Sequence, residues 1–289
     1  MRAVWDLIKE SFYRWIDDNA FQMSASIAFY AAFSMAPGLL IVVALVGLIY
    51  SGDTAGDIQR QISGYVGEDA SRLIARAVAS TTEGVSGGRL ATTIAIATML
   101  IGASAVFGQL LAAMNKVWRV EAKPGRGIAG VLRDRFWPFT MVMVVSILLL
   151  ASLLLSTFIR VYSVYVNRLV PGVAFIWHYV DLGISFAVVT LLFALVYKFL
   201  PDARIVWSDV WVGALVTSIF FAGGKYLFSL YLGTSAIESV YGAAGSLLVI
   251  LIWVYFSTSI LLLGAEFTHI YAERHGHRVI PKANAVKLD

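Results

Sequence analysis

The chain has 289 residues, of which 59% are hydrophobic and 14% charged, against about 25% charged in an ordinary soluble domain. That balance describes a protein whose solvent is lipid. The absence of cysteine excludes disulfides, thiolate metal sites and cysteine nucleophiles, and a net charge of +4 needs an explanation before nucleic acid is invoked.

The first element, residues 2–18, places Trp5, Ile8, Phe12, Trp15 and Ile16 at helical spacing, with Lys9, Glu10, Arg14 and Asp17 elsewhere. This pattern predicts an amphipathic helix lying on the membrane surface, so residues 1–20 form an N-terminal interfacial segment. Six apolar stretches follow, at about 21–50, 90–114, 136–159, 179–199, 206–231 and 243–270, each long enough to cross a hydrocarbon core of about 30 Å. The expected fold is therefore all-α: a polytopic bundle of six transmembrane helices over residues 21–270, with a tail at 271–289.

The first span is long and contains Pro37, which removes a backbone donor and predicts a kink or break. Its 30-residue apolar run reads as a span instead of a cleaved signal. Residues 51–89 carry Ile58, Ile62, Tyr65, Leu73 and Ile74 in two short amphipathic pieces, expected to cap the external mouth. Ser24, Ala28, Ala32 and Ala36 recur every four residues in the first span, and Ser104, Gly108 and Ala112 in the second. Such faces let helix backbones approach closely. The pair Gly223-Gly224 suits close packing or a local break, and Gly242 and Gly245 in "YGAAG" mark a candidate hinge at the head of the sixth span.

Lys and Arg are distributed unequally between the connections. Fifteen fall in residues 1–20, 115–135, the connection holding Lys198 and Arg204, and the tail; six fall in the alternate connections. Excess positive charge on one side predicts both termini in the cytoplasm. It also accounts for the basic balance without nucleic acid.

Polar groups in or beside the spans are candidates for function. Lys225 lies about 25 Å along the fifth span at 1.5 Å per residue, in the outer third of the membrane. Its long stem suits snorkelling to headgroups, contact with an anion in a cavity, or a pair with Glu238. Glu266, near the inner end of the sixth span, suits either an interfacial carboxylate bonded to a neighbouring helix or a member of a polar path. Gln22, Tyr30, Gln109, Asn115 and Tyr241 are candidates to line the same path. The sequence His275-Gly276-His277 sits in a basic tail and reads as a solvated end.

Read in order, "SASIAFYAAFSMAP", "NKVWRV", "LPDARIVWSDVWVGAL", "GGKYLFSLYL", "YGAAGSLLVILIWVY" and "LLGAEF" resemble the YihY/BrkB family of bacterial inner-membrane proteins, also labelled ribonuclease BN-like. The resemblance covers residues 15–272 and includes Lys225 and Glu266. It implies a multi-pass protein of the bacterial cytoplasmic membrane, associated with serum resistance and with export of lipid precursors.

The expected function is movement of an amphiphile, lipid precursor or anionic solute through a polar cavity, without enzyme chemistry, cofactor or metal. A channel for solute efflux and a non-transporting envelope assembly factor are the alternatives. Ribonuclease activity is not expected, because four scattered histidines make no metallohydrolase cluster. Membrane lipids are the expected partners, with no nucleic acid; a homo-oligomer is compatible with the sequence.

Overall fold

The computed structural model describes residues 2–49, 105–123, 147–148, 151, 174–234 and 243–288. Helices dominate: α1 (Arg2–Asp17), α2 (Ala20–Ile49), α3 (105–117), α4 (Ala174–Phe199), α5 (Trp207–Thr234) and α6 (Ala243–Arg274). Three of them contain stretches long and apolar enough to cross a membrane, at Leu182–Phe199, Trp207–Tyr231 and Leu247–Arg274. The connection 51–89, the third expected span apart from its three described residues, and the side chains of 35–49 lie outside the described residues. The helix α2 continues through Pro37, so the chain does not leave helical geometry at that proline.

The chain divides into two compact units. One contains residues 1–21, 110–224 and 259–289, the other residues 22–109 and 225–258. The first unit is built on α6, whose residues 264–270 are all buried. Two glycines determine how closely α5 can approach. A side chain on Gly213 would run into Thr268, and one on Gly264 would run into Thr217 and Tyr197. Each helix thus presents a glycine and, one turn on, a threonine that fills the partner's glycine gap. The threonine hydroxyls donate back to those glycines' own carbonyls, Thr217 to Gly213 at 2.7 Å and Thr268 to Gly264 at 2.6 Å. Neither hydroxyl is left without an acceptor in the helix contact. Tyr197 extends the arrangement to α4, donating to the Leu261 carbonyl at 2.9 Å. Gly108 and Gly223, by contrast, have nothing among the described residues within 4 Å of an added Cβ. Of the other small residues expected at helix contacts, Ser24 and Ala28 are buried, while Gly213 and Gly264 make the close approaches in this unit.

The helix α1 docks through Leu7, Ser11 and Trp15, spaced four apart and buried. Leu7 packs on Phe267 and Ile270, and the Trp15 indole donates to the Ser259 carbonyl at 3.1 Å. Trp15, expected on the lipid-facing stripe, is therefore a protein contact; Trp5, Phe12 and Ile16 stay exposed. Two ion pairs fasten the same helix to the end of α6: Arg274 with Glu10 at 2.5 Å and Arg14 with Glu273 at 2.9 Å. The turn from α1 to α2 is only Asp18 and Asn19, with Asn19 in the left-handed region (φ 58°), a conformation asparagine tolerates better than most residues.

The tail is exposed at His275, Gly276 and His277, as expected, and it is also ordered. Helix α6 stops with Gly276 at φ 76°. His277 N–H donates to the Ala272 carbonyl and Gly276 N–H to that of Glu273, the double bond of a glycine-capped helix. The chain then folds back as two short strands. In the antiparallel pairs, β2 (Ala203–Arg204) meets β3 (Ile280–Pro281) and β1 (Val120–Ala122) meets β4 (Ala285–Lys287). These strands amend the all-α expectation. Asp202 joins the segments: its carboxylate accepts from Asn115 and Asn284, both at 3.1 Å, its N–H donates to Asn115 Oδ1 at 2.8 Å, and its carbonyl accepts from Lys282 N–H at 2.8 Å. The four segments that the charge count groups on one side of the membrane thus meet at one end of this unit.

Three outcomes follow from these contacts. Gly264→Val lowers stability by about 1–3 kcal/mol through overpacking, whereas Gly108→Ala leaves it unchanged or slightly raised; thermal unfolding of the purified protein in detergent separates the two. Asp202→Ala, which strands the buried Asn115, costs about 1–3 kcal/mol in the same assay. The hydrogen bond from Arg274 holds the Glu10 carboxyl below its ordinary value of 4.5, against the opposing effect of burial. A depressed carboxyl stabilises the fold above its unfolded value and loses that contribution as pH falls through the folded one. Unfolding temperature therefore drops as pH falls below about 4.5, and Glu10→Gln removes part of that drop.

Candidate functional site

Two backbone turns and one helix face bring charge to one place in the first unit. The α1–α2 turn presents Asp18, which is buried. Helix α3 ends at residue 117, and Arg119 then takes a left-handed conformation (φ 52°). Its guanidinium Nη1 donates to Asp18 Oδ1 at 2.7 Å, while Lys116 Nζ donates to the Asp18 carbonyl at 2.6 Å. From α6 come Glu266, His269 and Glu273, spaced to share one helical face.

Glu266 is fully buried and faces the Asp18 carboxyl, with Arg119 and Arg14 as the nearby cations. Among the described residues, neither Glu266 oxygen has a hydrogen-bond donor, and neither does Asp18 Oδ2. Two carboxyl groups side by side can bond only when a proton lies between them. One turn along, the His269 ring stacks beside Trp118 at 5.3 Å, and its Nε2 lies 3.5 Å from Glu273.

Beside this cluster is a cavity of about 830 Å³, lined by Trp118, Arg119, His269, Glu273 and the tail from Gly276 to Pro281 with Lys287. Arg119, Arg278 and Lys287 give the wall three cations against the single carboxylate of Glu273. His277, also on the wall, is held by Asp209 in the first turn of α5, at 2.8 Å. The tail histidine read as part of a solvated end is exposed, and its Nδ1 is hydrogen-bonded to a buried carboxylate. A volume of this size accommodates a small organic anion or headgroup. A second, apolar recess of about 240 Å³ lies among Trp5, Ile8, Phe12, Phe220, Leu263 and Phe267.

The residues singled out from sequence separate. Glu266 sits in the buried carboxyl pair, and Asn115 is committed to Asp202 in the loop network. Lys225, Gln22, Tyr30, Gln109 and Gly245 belong to the other unit. There Lys225 is exposed beside exposed Tyr226 and Leu227, with no ion pair among the described residues; Gln22 and Gln109 are exposed, Tyr30 is half-buried, and Gly245 is buried within α6. Tyr241 and Gly242 lie outside the described residues. Sequence reasoning missed Asp18, Arg119, His269 and the wall formed by the tail. The available signal was the position of Asp18 and Arg119 at the ends of helices flanking spans, where a charge can be buried against another element.

A family model described as "Virulence factor BrkB" matches residues 11–288. Among curated proteins, a UPF0761 membrane protein of Psychrobacter sp. (strain PRwf-1) is 25% identical over 88% of this chain and 46% of its own length. One from Verminephrobacter eiseniae (strain EF01-2) is 29% identical over 78% of this chain and 49% of its own, and one from Pseudomonas paraeruginosa is 26% identical over 88% and 59%. The chain therefore spans about half the length of the curated relatives it matches. No solved structure matches. Apolar helices long enough to span a bilayer, and a match to one family along nearly the whole sequence, lead to one assignment: the chain is a membrane protein belonging to the virulence factor BrkB family.

Proposed function

We propose that this protein is a transporter-like component of the bacterial cytoplasmic membrane that moves an anionic amphiphile, such as a lipid precursor, or an anionic solute. The observation that carries this reading is the cavity of about 830 Å³ with Arg119, Arg278 and Lys287 on its wall. A cationic wall enclosing that much space favours an anion over a neutral or cationic cargo. The apolar recess beside Phe12 and Phe267 supports a cargo with a hydrocarbon part, which favours an amphiphile over a channel substrate. Such an activity needs no catalytic step.

With both termini cytoplasmic, as the charge asymmetry suggests, the cavity opens toward the cytoplasm. Exposed Lys225 then acts as a headgroup anchor, its charge remaining near water. The assembly-factor alternative keeps the same anchor but leaves the cavity without a cargo.

Reporter fusions after Lys123 and Asp289 are cytoplasmic and one after Thr82 is external; an external C-terminus overturns the orientation. In liposomes containing the purified protein, labelled anionic phospholipid and small anions are followed in parallel. The double variant Arg278→Glu with Lys287→Glu lowers the rate at least about tenfold, an effect of roughly 1.4 kcal/mol, at equal protein incorporation. Lys225→Met leaves the rate near wild type. Equal rates for the double variant and wild type overturn the cavity as the route, and loss of transport in Lys225→Met overturns its assignment as an anchor.

A further inference from the structure

We propose that Asp18 and Glu266 together form a proton-binding site, and that an anion in the adjoining cavity is held more tightly when the proton is present. The second part rests on the reading of the cavity as an anion site; the first does not. Three oxygens of the pair lack donors among the described residues, while Glu266 is fully buried. A buried carboxylate facing another acceptor has lost its water and gained nothing in return. A proton on either carboxyl turns one acceptor into a donor and satisfies the facing oxygen.

The arrangement of cations makes the proton's effect reach the cavity. Arg119 touches Asp18 through Nη1 and also lines the cavity wall. With the proton in place, one carboxylate is matched by one guanidinium and the pair is balanced. Without it, two carboxylates compete for Arg119, and the charge behind the wall that the anion must approach is one unit more negative. Binding of the proton and of the anion therefore favour one another, and the coupling is reciprocal. The other charged or titratable groups on the elements around Glu266 are Arg14 on α1, Lys116 at the end of α3, and His269 and Glu273 on α6. Because His277 also lines the cavity, a variant of the carboxyl pair is compared with a histidine variant.

The decisive measurement is infrared spectroscopy of the purified full chain in detergent, titrated with pH. Wild type shows the carbonyl band of a protonated carboxyl that disappears as pH rises. The band is missing in Glu266→Gln, whose amide donates to Asp18 without a titratable proton, and altered in Asp18→Asn. Calorimetry with inorganic sulfate, whose own charge is constant over the range, reads the coupling. Wild-type affinity falls about five- to tenfold across the pH at which the band disappears, at the low end of typical coupling. Glu266→Gln holds its affinity across that interval, while His277→Gln shows the wild-type fall.

A wild-type spectrum without a band sensitive to both carboxyl variants overturns the proton site. An equal fall of sulfate affinity in Glu266→Gln and wild type overturns its link to the cavity. Sulfate that fails to bind at any pH removes the anion reading of the cavity, and the infrared band still decides the proton site. Should Glu266→Gln not fold, Asp18→Asn carries both comparisons.

Discussion

Helices in a bilayer are not pushed together by water, so their contact rests on shape and on satisfied polar groups. The reciprocal fit of Gly213 with Thr268 and of Gly264 with Thr217 is the contact on which the first unit depends. It sets the distance between α5 and α6, and α6 in turn carries the attachments of α1 and α4. Leu7 and Trp15 of α1 rest against it, Tyr197 of α4 bonds to its backbone, and Glu266 and His269 project from it. A bulkier residue at Gly264 would displace the face that positions Glu266, two residues on.

The polar end of the unit follows a different logic. Connections between membrane helices are short of hydrophobic surface, and here they are ordered by hydrogen bonds and ion pairs. Asp202 serves three segments through both its side chain and its backbone, and the tail completes two strand pairs. The cavity exists because this strap of residues stands away from the helix ends instead of filling the space beneath Trp118 and Arg119. Stability and candidate function thus share residues: Arg119 anchors the α1–α2 turn and faces the cavity, and His277 binds Asp209 while lining the far wall.

Much of the helical architecture was legible in the sequence because its signals are local. Apolar length placed helices at about 21–50, 179–199, 206–231 and 243–270, where α2, α4, α5 and α6 stand, and periodicity identified α1, although which of its apolar side chains face protein was not readable. Trp15 and Trp5 look alike in a helical projection; only the groove on α6 distinguishes them. Glu266 could be singled out because a carboxylate within an apolar run is costly, but its partner lies about 250 residues away in sequence, and no local pattern announces Asp18. The tail misled for a related reason. A short, basic, proline-containing stretch has low strand propensity, and its strands form only because residues 120–122 and 203–204 offer edges to them.

That pairing has a bearing on biosynthesis. A chain made from its N-terminus onward inserts its membrane helices before β4 emerges, so Val120–Ala122 waits through about 160 residues of translation for its partner. Until then the strand edge of residues 120–122 is without its partner, and Asp202 is without the donors of Lys282 and Asn284. The high contact order of this ladder makes the polar end the last part of the unit to close, and a translating ribosome would hold it open after the helices are in place. Ordering of this strand pair thereby becomes a late step in completing the unit, readable as protection of the 120–122 backbone amides from solvent exchange.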